Sequence, residues 1–191
     1  CNVVNGHSSA VSDIAFSPFD ATVMATASLD CTVKVWNLPH DGPIPTMNAD
    51  NASTTLSGFE NSVRTANWHP TCANILACTS LDKTIRLFDV ERSSQVACVS
   101  LEDITGGADT TISNISFNYD GTQFAVASKD RVVRVCDPRL SGTAAVVSQS
   151  SSDSVLGRNL RVEWCCDGSN QCSTLLTVSV GSSGMRTIHL W

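Results

Sequence analysis

The sequence predicts an all-β fold built from about four similar units, and two observations support this prediction. Short segments such as Val11–Phe16 alternate apolar and polar residues, which is typical of half-buried strands. A nine-residue segment also recurs about every 50 residues, at 28–36, 80–88 and 128–136. Since no segment has a convincing helical period, we expect strand repeats to organise the chain.

The three repeated segments keep their landmarks at nearly fixed distances. Each contains an aspartate, and the spacings between these aspartates are 52 and 48 residues. A glycine lies 24 residues before each of them. The glycine and aspartate pairs are Gly6 and Asp30, Gly58 and Asp82, and Gly106 and Asp130. Units of 40 to 50 residues with four short strands are typical of β-propeller blades, so we predict a propeller.

The first unit sets the pattern for the others. Strands are predicted at 11–16, 23–28 and 33–36, with a hairpin turn at Ser28-x-Asp30, because aspartate bonds its own backbone there and tolerates unusual dihedral angles. The insertion at 37–53 contains three prolines and explains the longer first spacing. Residues 2–4 form a candidate N-terminal strand, which we expect not to complete the last blade.

A fourth unit departs from the pattern. Strands are predicted at 160–164 and 175–180, followed by a Gly-rich turn in which Met185 occupies the aspartate position. We expect residues 148–154 to form a polar loop between units. We therefore predict one partial propeller over 1–191, with repeats at approximately 1–37, 53–89, 98–137 and 146–191.

Composition and charge exclude several classes of protein. The chain has 12 Lys and Arg against 18 Asp and Glu, for a net charge of −6. This charge argues against non-specific electrostatic binding of the whole surface to nucleic acid or anionic lipid. No stretch approaches the roughly 20 apolar residues of a membrane helix, so no membrane insertion is expected. Nine cysteines with irregular spacing and no CxxC pair indicate small buried side chains in a reducing compartment.

No motif of catalysis is found. The sequence lacks a Gly-x-Ser-x-Gly elbow, a phosphate-binding Gly-rich loop and a His-Glu-x-x-His pair. None of the histidines has a cysteine or carboxylate at metal-ligand spacing. These are His7, His40, His69 and His189. We therefore expect no enzyme activity, no cofactor, no metal and no small-molecule substrate.

The first unit resembles the WD-repeat family. Gly6 and His7 open it, Asp30 lies in its turn and Trp36 closes its third strand. The resemblance implies a hydrogen-bond chain through His7, a hydroxyl, Asp30 and Trp36, with Thr26 or Ser28 as the hydroxyl.

The later units depart from this frame. Phe59 and Phe88 replace the histidine and tryptophan in the second unit, and Gly107 and Cys136 replace them in the third. We therefore expect apolar packing to stabilise these blades, and Asp82 and Asp130 to stabilise only their own hairpin turns. On this basis, Asp30→Ala should destabilise the protein more than Asp130→Ala.

Over essentially its whole length the sequence resembles the coronins. This resemblance rests on five stretches: 12–20, 30–36, 63–71, 129–139 and 181–191. The residues at 17–20 are most similar to those of the tandem-propeller coronins. The resemblance implies a seven-bladed propeller, of which this chain supplies about four repeats. It also implies binding to actin filaments, cytoplasmic and cytoskeletal localisation, and Golgi-linked trafficking for the tandem type.

The coronin resemblance is incomplete at both ends of the sequence. The basic segment that coronins place before the first Gly-His, and their C-terminal coiled coil or acidic tail, are not among these residues. We expect the chain to be part of a longer protein. By itself it is expected to form an open arc of about four blades, whose two end faces promote association.

Four basic residues are candidate partner contacts. Lys34, Arg86 and Arg134 share one strand position and are expected to place one charge on the side face of each blade. Arg64, on the first strand of the second unit, is expected to face an end of the ring. Because actin is acidic, local positive charge would steer association.

A second class of function stays open. Asp137-Pro138-Arg139 resembles the box by which WD-repeat substrate receptors dock on adaptors of cullin-type ubiquitin ligases. Cys136 stands where that box has tryptophan.

Overall fold

The computed structural model describes residues 4–40, 46–105, 110–140, 146–150, 158–165, 174–180 and 186–190. Nearly all regular structure in these residues is strand, which confirms the all-β prediction. A one-turn helix, α1 (Leu101–Thr105), and a 3-10 turn at Ala49–Asn51 were not predicted, because single turns are too short to leave a helical period. No helix in the described ranges is long and apolar enough to cross a membrane.

The first sheet, blade 1, contains the three strands predicted for the first unit and a fourth strand from beyond the insertion. Its antiparallel order is β2-β3-β4-β6, and a separate strand, β1, pairs in parallel with β5 of the insertion. The strands of this region are β1 (Val4–Asn5), β2 (Val11–Phe16), β3 (Val23–Ser28), β4 (Val33–Asn37), β5 (Met47–Asn48) and β6 (Thr54–Leu56). Residues 2 and 3 lie outside the described ranges.

The second sheet, blade 2, repeats this arrangement with the order β10-β9-β8-β7. Its strands are β7 (Val63–Trp68), β8 (Ile75–Ser80), β9 (Thr84–Asp89) and β10 (Ser94–Ser100). The helix α1 follows β10, and the Leu101 N–H donates to the Lys83 carbonyl at 2.7 Å. Leu101 is fully buried, so the helix anchors the end of the outer strand.

The third and fourth sheets, blades 3 and 4, come from the remaining sequence. Blade 3 has the order β11-β12-β13-β14, and blade 4 has the order β15-β16-β17 in the described residues. The strands are β11 (Ile112–Phe117), β12 (Phe124–Ser128), β13 (Val133–Cys136), β14 (Val146–Gln149), β15 (Arg158–Cys165), β16 (Thr174–Val180) and β17 (Arg186–Leu190). The loop predicted from residue 148 is wrong at its start, because Ser148 and Gln149 lie in β14. The following predicted features lie outside the described residues: the turn at Met185, Gly106 and Gly107, and Cys1, Cys166 and Cys172.

Blade 1 and most of blade 2 belong to one compact unit, Cys1–Asp82 with Arg86–Val96. Their shared core is apolar and includes Val33, Leu56 and Leu76. Across the seam, the Ala66 N–H donates to Asp13 Oδ2 at 3.0 Å. Thus the first strand of blade 2 is both packed and hydrogen-bonded onto blade 1.

Blades 3 and 4 belong to the other compact unit, Lys83–Ile85 with Ala97–Trp191. Val133, Leu160 and Val162 lie in its core. The Val162 N–H donates to Asn114 Oδ1 at 2.9 Å, at the position equivalent to that of the Ala66 bond. The two seams therefore share one packing scheme, in which a first-strand side chain accepts from the next blade.

Candidate functional site

A chain of side-chain hydrogen bonds ties blade 1 together. Because a carboxylate only accepts, His7 donates from Nδ1 to Asp30 Oδ2, at 2.9 Å. His7 Nε2 then accepts from Thr26 Oγ1 at 2.7 Å, and Thr26 Oγ1 accepts from Trp36 Nε1 at 2.9 Å. Thr26 supplies the hydroxyl, whereas the Ser28 hydroxyl donates to the Ala10 carbonyl at 3.0 Å.

Asp30 is the acceptor end of this chain. Its carboxylate also accepts from the Ser8 N–H and the Thr32 N–H, both at 3.0 Å, and from Thr32 Oγ1 at 2.6 Å. Burial raises the pKa of Asp30, but the bonds from Thr32, His7 and Ser8 outweigh it and lower the pKa to about 2. Asp30 is therefore ionised at neutral pH.

Gly6 has a steric role beside this chain. Trp36 is fully buried, and a Cβ on Gly6 would overlap its indole ring. Only glycine lets the chain pass this close to the ring, which explains the glycine before His7.

In blade 2 an arginine of the third strand pairs with the turn aspartate, which in blade 1 is bound by His7. Arg86 pairs with Asp82 at 3.4 Å, donates to the Gly58 carbonyl at 2.6 Å and lies over the Phe59 ring, 5.2 Å from its centroid. The Phe59 and Phe88 ring centroids are 5.5 Å apart. The expectation that Asp82 keeps only the turn is therefore wrong.

Blade 3 uses the same pairing without the aromatic rings. Arg134 pairs with Asp130 at 2.8 Å and donates to Ser128 Oγ at 3.0 Å. Its side chain is 7% exposed, so the expectation of a solvent-facing cation is wrong for Arg134. Burial raises the pKa of the Cys136 thiol to about 12, which keeps it neutral where blade 1 has tryptophan.

The residue at the position of Thr26 differs in the blades that use arginine. Cys78 and Val126 occupy the position of Thr26 in blades 2 and 3, and both are buried. Neither offers the hydroxyl that joins histidine to tryptophan. Sequence analysis missed these arginine pairs, although an aspartate and arginine four residues apart in both units was the available signal.

The two remaining basic candidates lie in different surroundings. Lys34 donates from Nζ to Thr55 Oγ1 at 3.1 Å on the outer strand of its own blade. Arg64 is exposed on β7. A role in partner binding stays a prediction for both.

The turns also differ in detail from the expectation. The residue after each turn aspartate has a positive φ: Cys31 65°, Lys83 66° and Arg131 66°. The aspartate carboxylates accept backbone hydrogen bonds in the first and third turns. The Thr32 N–H donates to Asp30 and the Val132 N–H donates to Asp130, each at 3.0 Å. The unusual dihedral angle thus falls one residue later than expected.

Cysteines are not uniformly buried. Among the described cysteines, Cys78 and Cys136 are buried, but Cys72 and Cys98 are exposed. The expectation of burial is wrong for the exposed pair, because Cys72 lies in a surface turn and Cys98 on the outer strand of blade 2. Among the described residues, no three or more His, Cys, Asp or Glu side chains group as metal ligands would.

Comparison with known proteins points to one family. The model of the family "WD domain, G-beta repeat" matches residues 1–37, 51–89 and 94–137. The chain is also similar to a solved structure, the WD40 domain of Toxoplasma gondii coronin, with a TM-score of 0.78 and 25% identity over 97% of this chain and 45% of that chain.

Curated relatives include several coronins. Coronin-like protein crn1 of Schizosaccharomyces pombe is 32% identical over all of this chain, and human Coronin-7 is 31% identical over 95%. Human Coronin-2A is 34% identical over 78%. The chain spans 29%, 18% and 27% of the lengths of these three proteins, respectively.

Proposed function

Because the chain belongs to the WD-repeat family and its curated relatives include coronins, we propose that it is a non-enzymatic scaffold that binds actin filaments. The observation that carries the proposal is the coronin similarity, which extends over the whole chain. The blade 1 network supports it, because its polar groups are used to lock strands together and not to form a reactive centre.

The contact with actin is proposed to involve Arg64. Arg86 and Arg134 neutralise the turn aspartates of their own blades, whereas Arg64 is exposed on β7. Exposed cations promote association with an acidic partner even on a chain with negative net charge.

Co-sedimentation with actin filaments tests this proposal. The chain should pellet with filaments, and Arg64→Glu should weaken binding about threefold or more, with a larger difference at low salt because exposed charges are screened. Arg92→Glu is the matched control, since Arg92 is largely exposed and pairs only weakly with Asp89, at 3.6 Å. If the wild-type chain stays in the supernatant at every salt concentration, the proposal is wrong.

In the cell, we propose association with the actin cytoskeleton, and Golgi-linked trafficking if the parent is a tandem-propeller coronin. Sequence flanking the chain distinguishes the two parents, because a second set of repeats identifies the tandem type. A single set followed by a coiled coil identifies the other.

The ubiquitin-ligase alternative has one supporting feature and one opposing feature. Arg139 is 71% exposed, as a docking arginine must be. However, its guanidinium is engaged by Asp137, with Nε donating to Oδ1 at 2.9 Å and Nη2 to Oδ2 at 2.5 Å. A pulldown with the adaptor tests it, and Arg139→Ala should abolish adaptor binding while leaving actin binding unchanged.

A further inference from the structure

The seam between blades 3 and 4 contains a cavity of about 330 Å³ within one compact unit. Apolar side chains from both blades and polar groups of β14 form its walls. They include Val133, Val135, Ser148, Ser150, Trp164 and Leu175. Volumes of this size are typical of small ligand sites.

The seam between blades 1 and 2 shows what fills the same place. Leu56 lies opposite Val33 in the ladder and is buried in the shared core. Ser150 takes the equivalent place, since its N–H donates to the Val133 carbonyl at 2.9 Å. The cavity is therefore present where a serine replaces a leucine.

A tryptophan also differs between the seams. Trp68 Nε1 in blade 2 donates to the Ala15 carbonyl at 3.1 Å. Trp164 occupies the equivalent position in blade 4 and lines the cavity, but its buried Nε1 has no hydrogen-bond partner among the described residues. Trp164 therefore lacks the bond that fixes Trp68, and its ring borders the cavity.

We propose that this cavity binds an aliphatic side chain of leucine size from an extended peptide. The leucine that fills the other seam defines the size and the apolar character. In the described part of blade 3, β14 is an edge strand, and Val147 on it is exposed and lines the cavity. An extended peptide pairing with this edge would place alternate side chains toward the cavity. The proposal is independent of actin binding.

Indole N–H signals of the ¹⁵N-labelled 191-residue chain provide the test. N-acetyl-leucine methylamide is the probe, N-acetyl-alanine methylamide is the comparison, and Trp164→Phe identifies the signal. In the millimolar range expected for a ligand this small, the leucine probe should move the Trp164 signal saturably, and the alanine probe should bind several-fold more weakly. No saturable shift of the Trp164 signal overturns the proposal.

One variant fills the cavity from blade 3. Ser150→Leu copies Leu56, which takes the same place in blade 1. It should reduce the response of Trp164 to the leucine probe. Because Ser150 Oγ accepts from the Val133 N–H at 3.0 Å, the exchange also removes a hydrogen bond, and circular dichroism should show that the variant is folded. Ser94→Leu, the same exchange at an exposed position of β10, should leave the response unchanged. A probe response that is unchanged in folded Ser150→Leu shows binding elsewhere and contradicts the proposal.

Discussion

At the scale of single residues, the hydroxyl of Thr26 determines how blade 1 is held. It accepts from Trp36 and donates to His7, so one atom connects the third strand to the segment before the first. Without that hydroxyl, a histidine at the position of His7 could not be linked to the third strand. In blades 2 and 3 the arginine instead reaches the turn aspartate from within the third strand itself.

The first prediction reverses the order of stability effects expected from sequence. Asp130→Ala leaves the buried Arg134 guanidinium without its counter-charge, which should cost about 3 to 5 kcal/mol. Asp30→Ala leaves neutral donors unpaired and should cost about 1 to 3 kcal/mol. Urea unfolding measures both free energies.

The control for this prediction removes the charge as well. Arg134→Met in the Asp130→Ala background should recover part of the loss, because no buried charge is left unpaired. A larger loss for Asp30→Ala than for Asp130→Ala would contradict this interpretation of blade 3.

The second prediction concerns pH and Asp30. The folded pKa of about 2 lies below the unfolded value of 3.8, so unfolded protein binds the proton more tightly. The stabilisation is therefore fully present above about pH 4 and disappears as the pH falls toward 2. The unfolding free energy of the wild type minus that of Asp30→Asn should be positive at pH 6 and shrink through this window. A difference independent of pH would show that the carboxylate charge contributes nothing.

At the scale of strands and turns, much of the fold was predictable, because alternation and spacing depend on neighbouring residues. The strands of blade 1 and the late strands β15 and β16 lie close to their predicted places. The arginine pairs were not predicted from the strand pattern. Such a pattern indicates on which face of the sheet a side chain lies, but not whether its guanidinium contacts the aspartate in the preceding turn. The cavity beside Ser150 depends on two blades packing together, so no single segment could reveal it.

The third prediction tests the outer strand of blade 1. β6 has three residues, and only Leu56 among them is buried. Leu56→Ala should cost about 2 to 5 kcal/mol, since it opens a void in the seam with blade 2. Thr55→Ala, at the exposed neighbouring position, should change stability by about 0.5 kcal/mol or less. Equal losses of unfolding free energy would show that this seam is not tightly packed.

At the scale of the whole molecule, blade packing is directional. Each described seam joins third-strand residues of one blade to first-strand residues of the next, as Val33 and Val63 share one core. Blades 1 and 4 each expose one apolar face of the kind that a neighbouring blade covers in the described seams; we call each such face an uncovered half-seam. On blade 1, Val11, Ile14 and Phe16 are 47%, 56% and 55% exposed, although their blade 2 equivalents Val63, Ala66 and Trp68 are at most 9% exposed. On blade 4, Ile188 and Leu190 are 66% and 70% exposed.

The last prediction is that the isolated chain self-associates, because each uncovered half-seam has the apolar character that other blades bury. Contiguous apolar surface of this kind promotes association between copies. Static light scattering should give a mass above 20.3 kDa that rises with concentration. The double variant Ile14→Ser, Phe16→Ser should lower that mass, since it makes the blade 1 half-seam polar. Val96→Ser, at an exposed position of β10, should leave it unchanged. A concentration-independent monomer with a sharp melting transition would mean that the chain covers its own blade faces, and the prediction of an open arc would then be wrong.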